Sequence, residues 1–226
     1  MTTAGEEQAI VESRFQLEQL YAERELAGQK LVGFAAVGLP LPEVDFDGVT
    51  IERVDFREAD LSRCRVESAN LKQVDLRGAD LSGALLDRIV ASDCDLTEVR
   101  LTGAQLGRCE LERVGMAKVD LTGARLSRVQ FTNVELSRAK AAGATLLKCE
   151  FLRYQGATES LSRIDLGGAS LVDCDLRGVN LYGANLEGAL IVRCDLRGAN
   201  LCEARMTGVH LVECKTDGAD VEGAVI

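Results

Sequence analysis

From Val44 onward the apolar residues recur at every fifth position. Written in blocks of five, the chain has a small residue first and a large apolar residue third in each block. Leu, Ile, Val, Met or Phe fills 33 of 37 third positions, the exceptions being Ala91, Ala141, Gly156 and Thr216. Ala, Val, Ile or Cys fills 35 of 37 first positions, and only Tyr154 and Glu159 depart. This rhythm suits neither an α-helix, with its period of about 3.6, nor a flat strand, with its period of about 2. The chain must turn by a fixed angle after each block, with one large and one small side chain inward and three residues outward. Coils of this kind can stack through main-chain hydrogen bonds at the inter-strand spacing of about 4.8 Å.

The blocks Ala59-Asp60-Leu61-Ser62-Arg63, Ala79-Asp80-Leu81-Ser82-Gly83 and Ala199-Asn200-Leu201-Cys202-Glu203 carry the motif Ala-(Asp/Asn)-Leu-x-x. On that motif, residues 44–226 resemble the pentapeptide-repeat family. The resemblance implies an all-β fold, a right-handed quadrilateral parallel β-helix with four blocks to the coil. About nine coils at that spacing make a rod on the order of 44 Å long. Stability in a solenoid is a sum over neighbouring coils, so its ends need covering.

Residues 1–43 are read as a capping segment outside the repeat. Ile10, Leu17, Leu20 and Tyr21 recur at roughly helical spacing, with Gly28 as the stop, which predicts a short N-terminal helical cap. At the other end the repeat continues to Ala224-Val225-Ile226. An open coil end is an unpaired sheet edge, so an end-to-end homodimer through the C-terminal coils is expected. Between 154 and 163 the rhythm fails. A buried, unpaired Glu159 is costly, so this stretch is expected to leave the coil as a loop or bulge. Loops carry specific contacts, which makes Tyr154, Gln155 and Glu159 candidate partner-binding residues. If ten residues leave the coil, every later face moves two places round the rod.

Composition narrows the picture. Tryptophan is absent and aromatics make up 4 % of the chain, which fits a thin interior of Leu, Val, Ala and Cys. With 36 acidic and 26 basic residues the net charge is −10, a balance that repels phosphate backbones and argues against direct nucleic-acid binding. The N-terminus shows no basic, apolar leader pattern and no apolar run is long enough to cross a membrane, so a cytoplasmic protein is expected. Seven of the eight cysteines (64, 94, 109, 149, 174, 194 and 214) occupy first positions, where a free thiol packs as a small hydrophobe. Cys174, Cys194 and Cys214 are expected to stack, Cys202 to be the one accessible thiol, and no metal site or cofactor is expected. His210, the single histidine, falls at an outward position without a nucleophile or orienting acid to assign to it.

Acidic residues occupy 14 of 37 second positions. Asp55, Asp75, Asp95, Glu135, Asp175 and Asp195 differ by multiples of 20, so a regular rod places them in one longitudinal row, the candidate partner-binding face. The family motif itself puts Asp there, and basic residues fill 12 fifth positions, so structural habit competes with function. Two functions stay open. One resembles the Qnr-like branch of the family, whose acidic rods occupy the DNA-binding saddle of DNA gyrase; that implies a bacterial type II topoisomerase as partner. The other is a scaffold, targeting or adaptor module with a protein partner. Catalysis finds no acid, base or nucleophile set in this sequence.

Overall fold

The five-residue rhythm closes into a four-sided parallel β-solenoid. In the computed structural model, which describes residues 9–152 and 161–226, each block forms one side and four blocks form a rung. We label the sides A to D. Side A runs through Arg65, Leu85, Gln105, Arg125 and Thr145. Side B runs through Lys30, Thr50, Asn70, Val90, Glu110, Gln130 and Glu150. Side C runs through Asp55, Asp75, Asp95, Gly115 and Glu135, and side D through Asp60, Asp80, Arg100, Asp120 and Lys140. Short strands, three residues long apart from the two-residue first one, build two eight-stranded parallel sheets along sides A and B, whereas sides C and D are laddered by single bridges. Side D has ten rungs from Pro40 to Val225, a stack on the order of 45 Å long.

The corners explain what the fifth position does. There the backbone turns through left-handed conformations, with φ of 69° at Gly83 and 56° at Arg63. Side chains other than glycine resist this region by about 1 kcal/mol. The ladder offsets that cost: the Arg63 amide donates to Ser82 O on the next rung at 2.9 Å. First- and third-position side chains form one continuous core from Val11 to Met206. Phe131 and Phe151 stack in it on adjacent rungs, with ring centroids 4.8 Å apart. Two apolar gaps of about 20 and 70 Å³ lie inside, too small and too dry for a substrate.

The coil begins earlier than Val44. Val11 pairs with Leu31 and Leu31 with Ile51, and Leu26, Leu31, Ala36 and Leu41 are buried. The five-residue spacing persists here in Gly28, Gly33 and Gly38, but Gln29, Phe34 and Leu39 replace the small first residue and hide it. The expected helical cap is present as α1 (Arg14–Glu23), shorter than the helical spacing implied. Ile10 lies in a strand, not in the helix. Ser13 caps the helix by accepting from the Gln16 amide, and the helix ends at Arg24 in the left-handed region, ahead of Gly28.

Past Leu152 the ladder steps by 25 residues: Lys140 bridges Asp165, Leu146 pairs with Leu171 and Glu150 bridges Asp175. That rung therefore spans one block more of sequence than the others, so each later residue lies one side, and not two, from where a count by twenty puts it. Tyr154, Gln155 and Glu159 fall among residues 153–160, outside the described residues.

Candidate functional site

The second-position aspartates have a structural task. Each turns an oxygen back to accept the amide two residues on: Ser62 to Asp60 at 3.0 Å, Thr97 to Asp95 at 2.9 Å, Thr122 to Asp120 at 3.0 Å. Asn does the same, as when Tyr182 donates to Asn180 at 3.1 Å. This is an Asx turn, and it gives the motif's Asp/Asn preference a physical cause. Glutamate lacks this geometry. Glu135 instead accepts from the Ser137 hydroxyl at 2.6 Å.

Four of the candidate aspartates also hold an arginine at i+2. Arg57 grips Asp55 with Nε and Nη2 at 2.9 and 2.7 Å, and its Nε lies 3.7 Å from Asp75 on the next rung. Arg77 repeats the arrangement with Asp75 at 2.6 Å and Asp95 at 3.6 Å. The result on side C is an alternating chain of carboxylates and guanidiniums, so the repulsion expected of stacked acids is largely neutralised. Arg177 and Arg197 hold Asp175 and Asp195 in the same way. The hydrogen bond from Arg57 lowers the Asp55 pKa, Arg77 lowers that of Asp75, and Arg197 brings Asp195 down to about 2. A carboxyl with a depressed pKa contributes stability that is fully present above its unfolded value near 4 and is lost as pH falls through the folded value. The melting temperature is therefore expected to hold steady above pH 5 and to fall between pH 4 and 2. Arg197→Gln should shift the NMR-detected Asp195 titration upward; an unmoved titration would show that the pair does not set it.

The single acidic row does not form. Asp55, Asp75, Asp95 and Glu135 share side C, but Asp175 bridges Glu150 and Asp195 bridges Asp175, which places both on side B. The 20-residue spacing suggested otherwise because it counted through the extra block. Side C continues through Asn180, Asn200 and Asp220. Its corner row carries Lys118, Arg138 and then Arg163, whose amide donates to Tyr182 O at 2.8 Å. Sequence spacing missed this cationic run, because Arg163 follows Arg138 by 25 residues and not 20.

A model of pentapeptide repeats matches the chain in eight copies over residues 42–78, 75–113, 116–151, 160–198 and 191–225. The chain belongs to the pentapeptide-repeat family. Among solved structures it is similar to a trypsin-treated variant of QnrB1, a plasmid-mediated fluoroquinolone resistance protein, at 22 % identity and a TM-score of 0.54, covering 80 % of this chain and 91 % of that one. A pentapeptide-repeat protein, Rfr23, from the cyanobacterium Cyanothece is 19 % identical with a TM-score of 0.20, covering 91 % of this chain and 97 % of that one. At 22 % identity the likeness to the QnrB1 variant speaks for the fold alone. No curated protein sequence matches the chain.

The remaining candidates follow the pentapeptide-repeat packing rule. The one-block step adds Cys149 to the row of Cys174, Cys194 and Cys214, because Glu150 bridges Asp175 just beyond them. The Cys174 amide lies 3.4 Å from Cys194 Sγ. Burial pushes the Cys64 thiol up to about 12 and Cys109 to about 11. Six thiols are buried, and Cys214 joins Cys202 as half-buried because it lies in the last turn. The expectation of one accessible thiol is corrected accordingly. Maleimide should label two thiols per native chain quickly and six only on unfolding; rapid labelling of four or more would contradict this packing. Among the described residues no group of His, Cys, Asp or Glu is arranged to hold a metal, and no helix is long and apolar enough to cross a membrane. His210 is exposed.

Proposed function

We propose that the chain is a non-enzymatic rod that binds a protein partner through its outward rows. The observation that carries this reading is the ladder itself. Ten rungs on side D hold side chains in straight, pre-ordered rows, and the interior gaps are too small to take a substrate. Rows fixed by the backbone lose little entropy on binding, which favours recognition by surface complementarity.

The specific partner in this proposal is a bacterial type II topoisomerase, with the rod lying where duplex DNA otherwise sits. A net charge of −10 on a narrow rod supports it, as does side C, where Asp55, Glu58, Asp75, Asp95, Glu98 and Glu135 outnumber Arg57, Arg77, Lys118 and Arg138. Replacing Asp55, Asp75 and Asp95 together by Asn keeps the oxygen each Asx turn needs and removes three charges. Affinity for gyrase is expected to fall several-fold at low salt and little at high salt. The decisive measurement is a supercoiling assay with and without a fluoroquinolone. A protein that neither inhibits nor protects gyrase at micromolar concentration leaves the second reading, a scaffold or adaptor for another protein. That reading is favoured by the pairing of Asp55, Asp75, Asp175 and Asp195 with arginines, which removes charge a DNA mimic would present. Self-association through the last turns belongs to the same proposal. Leu211 and Val221, at inward positions there, are 43 % and 46 % exposed, and light scattering of Leu211→Glu against the parent chain tests it.

A further inference from the structure

Side C carries a groove of about 500 Å³ whose lining is unlike the rest of this acidic rod. Ala117, Ser137 and Ser162 form a low floor, and Lys118, Arg138 and Arg163 stand along one edge on successive rungs. Tyr182 closes one end, 40 % exposed. Lys118 is held by Glu98 at 2.7 Å. Arg138 and Arg163, by contrast, make no ion pair with any described residue. The Arg163 stem lies over Gly183, where a Cβ would stand 3.4 Å from its Cγ. Among the described residues of side C, the carboxylate beside Arg138 is that of Glu135, and it is bonded to the Ser137 hydroxyl.

Two arginines whose backbones lie one rung apart, about 4.8 Å, repel each other unless an anion lies between their guanidiniums. Everywhere else on side C the ladder supplies that anion from the chain itself: Arg57 lies between Asp55 and Asp75, and Arg77 between Asp75 and Asp95. The rod's overall negative charge does not prevent an anion from binding here, because charges beyond roughly 8 Å are screened at physiological salt. Planar guanidiniums in a groove that a serine hydroxyl also lines match phosphoryl oxygens, which they bind in bidentate fashion. The outer oxygens of a diphosphate are separated by on the order of one rung. The groove's volume is that of a small-molecule pocket, roughly 300–1,000 Å³, and a tyrosine ring at one end offers a flat apolar face.

We propose that this groove binds a phosphorylated small molecule of nucleoside-diphosphate size, with the diphosphate on Arg138, Arg163 and the Ser162 hydroxyl and the base against Tyr182. The site is independent of the partner proposed above, since it needs no second protein.

Isothermal titration of the full chain with ADP, pyrophosphate and adenosine tests it. ADP and pyrophosphate are expected to bind and adenosine not. Arg138→Gln with Arg163→Gln should weaken both phosphate ligands at least about tenfold, the effect of losing a charge-assisted pair. Arg125→Gln with Arg128→Gln, which removes two cations from side A, should leave them unchanged. All four arginines are exposed, so circular dichroism should show intact folding. Tyr182→Ala separates the ligand sources: weaker ADP with unchanged pyrophosphate supports a nucleotide, and equal binding of both narrows the ligand to inorganic diphosphate. The proposal is overturned if neither phosphate ligand binds at millimolar concentration. It is also overturned if the side A variant loses binding as fully as the groove variant.

Discussion

Leu181→Asp is expected to abolish the folded state. Leu181 is 2 % exposed at a third position of side C, between Leu161 and Leu201, which are also buried. Removing a buried leucine side chain costs about 2–5 kcal/mol. Leaving an unpaired carboxylate in its place adds several more. Domain stabilities are about 5–15 kcal/mol, so the sum exhausts most or all of it. No neighbour can relieve the charge, because every side chain on that inner row is apolar and each rung is pinned by its ladder: the Leu181 amide donates to Asn200 O at 2.7 Å. Leu181→Met conserves volume and should cost under about 1.5 kcal/mol. Far-UV circular dichroism and thermal melting of the two variants give the test, and a native melt for the aspartate would refute the inward assignment.

Deleting residues 155–159 should leave a folded rod that melts within a few degrees of the parent, while deleting 119–121 should yield no folded rod. The contrast follows from register. The step from Lys140 to Asp165 is 25 residues where the step from Asp120 to Lys140 is 20, so removing five residues restores the ordinary rung and every later pairing survives. Removing three from a regular rung moves each later apolar residue off its inward position, and a solenoid has no alternative core to use. Hydrogen exchange of the amides after Leu161 reports the outcome directly. Loss of their protection in the five-residue deletion would mean that the extra block is part of the stack.

Much of this architecture was legible because the five-residue rhythm is a packing rule repeated with little noise. The inward identity of Leu121, Cys174 or Ala199 follows from position alone, and all three are buried. Two parts were not legible. Before Val44 the first residue of the block is no longer small, so Gln29, Phe34 and Leu39 concealed a rung that glycines at 28, 33 and 38 still mark. The face map after residue 160 depended on how many residues one rung absorbs, and the pattern of apolar positions does not count them. The acidic row and the run of Lys118, Arg138 and Arg163 both turned on that single number. Nor did spacing reveal that the motif's Asp is bonded to its own backbone, since the Asx turn is a matter of side-chain direction.

The one-block step has a consequence for any rigid partner. A flat surface laid along Asp55, Asp75 and Asp95 cannot also touch Asp175 and Asp195, which face a quarter-turn away. A partner that reads both must wrap round an edge of the rod, or two partners must bind at right angles. Because five added residues leave every later ladder pairing in place, the extra block re-deals which sequence positions share a side without turning the later half of the rod, so the pattern a partner reads is a variable separate from the ladder that carries it.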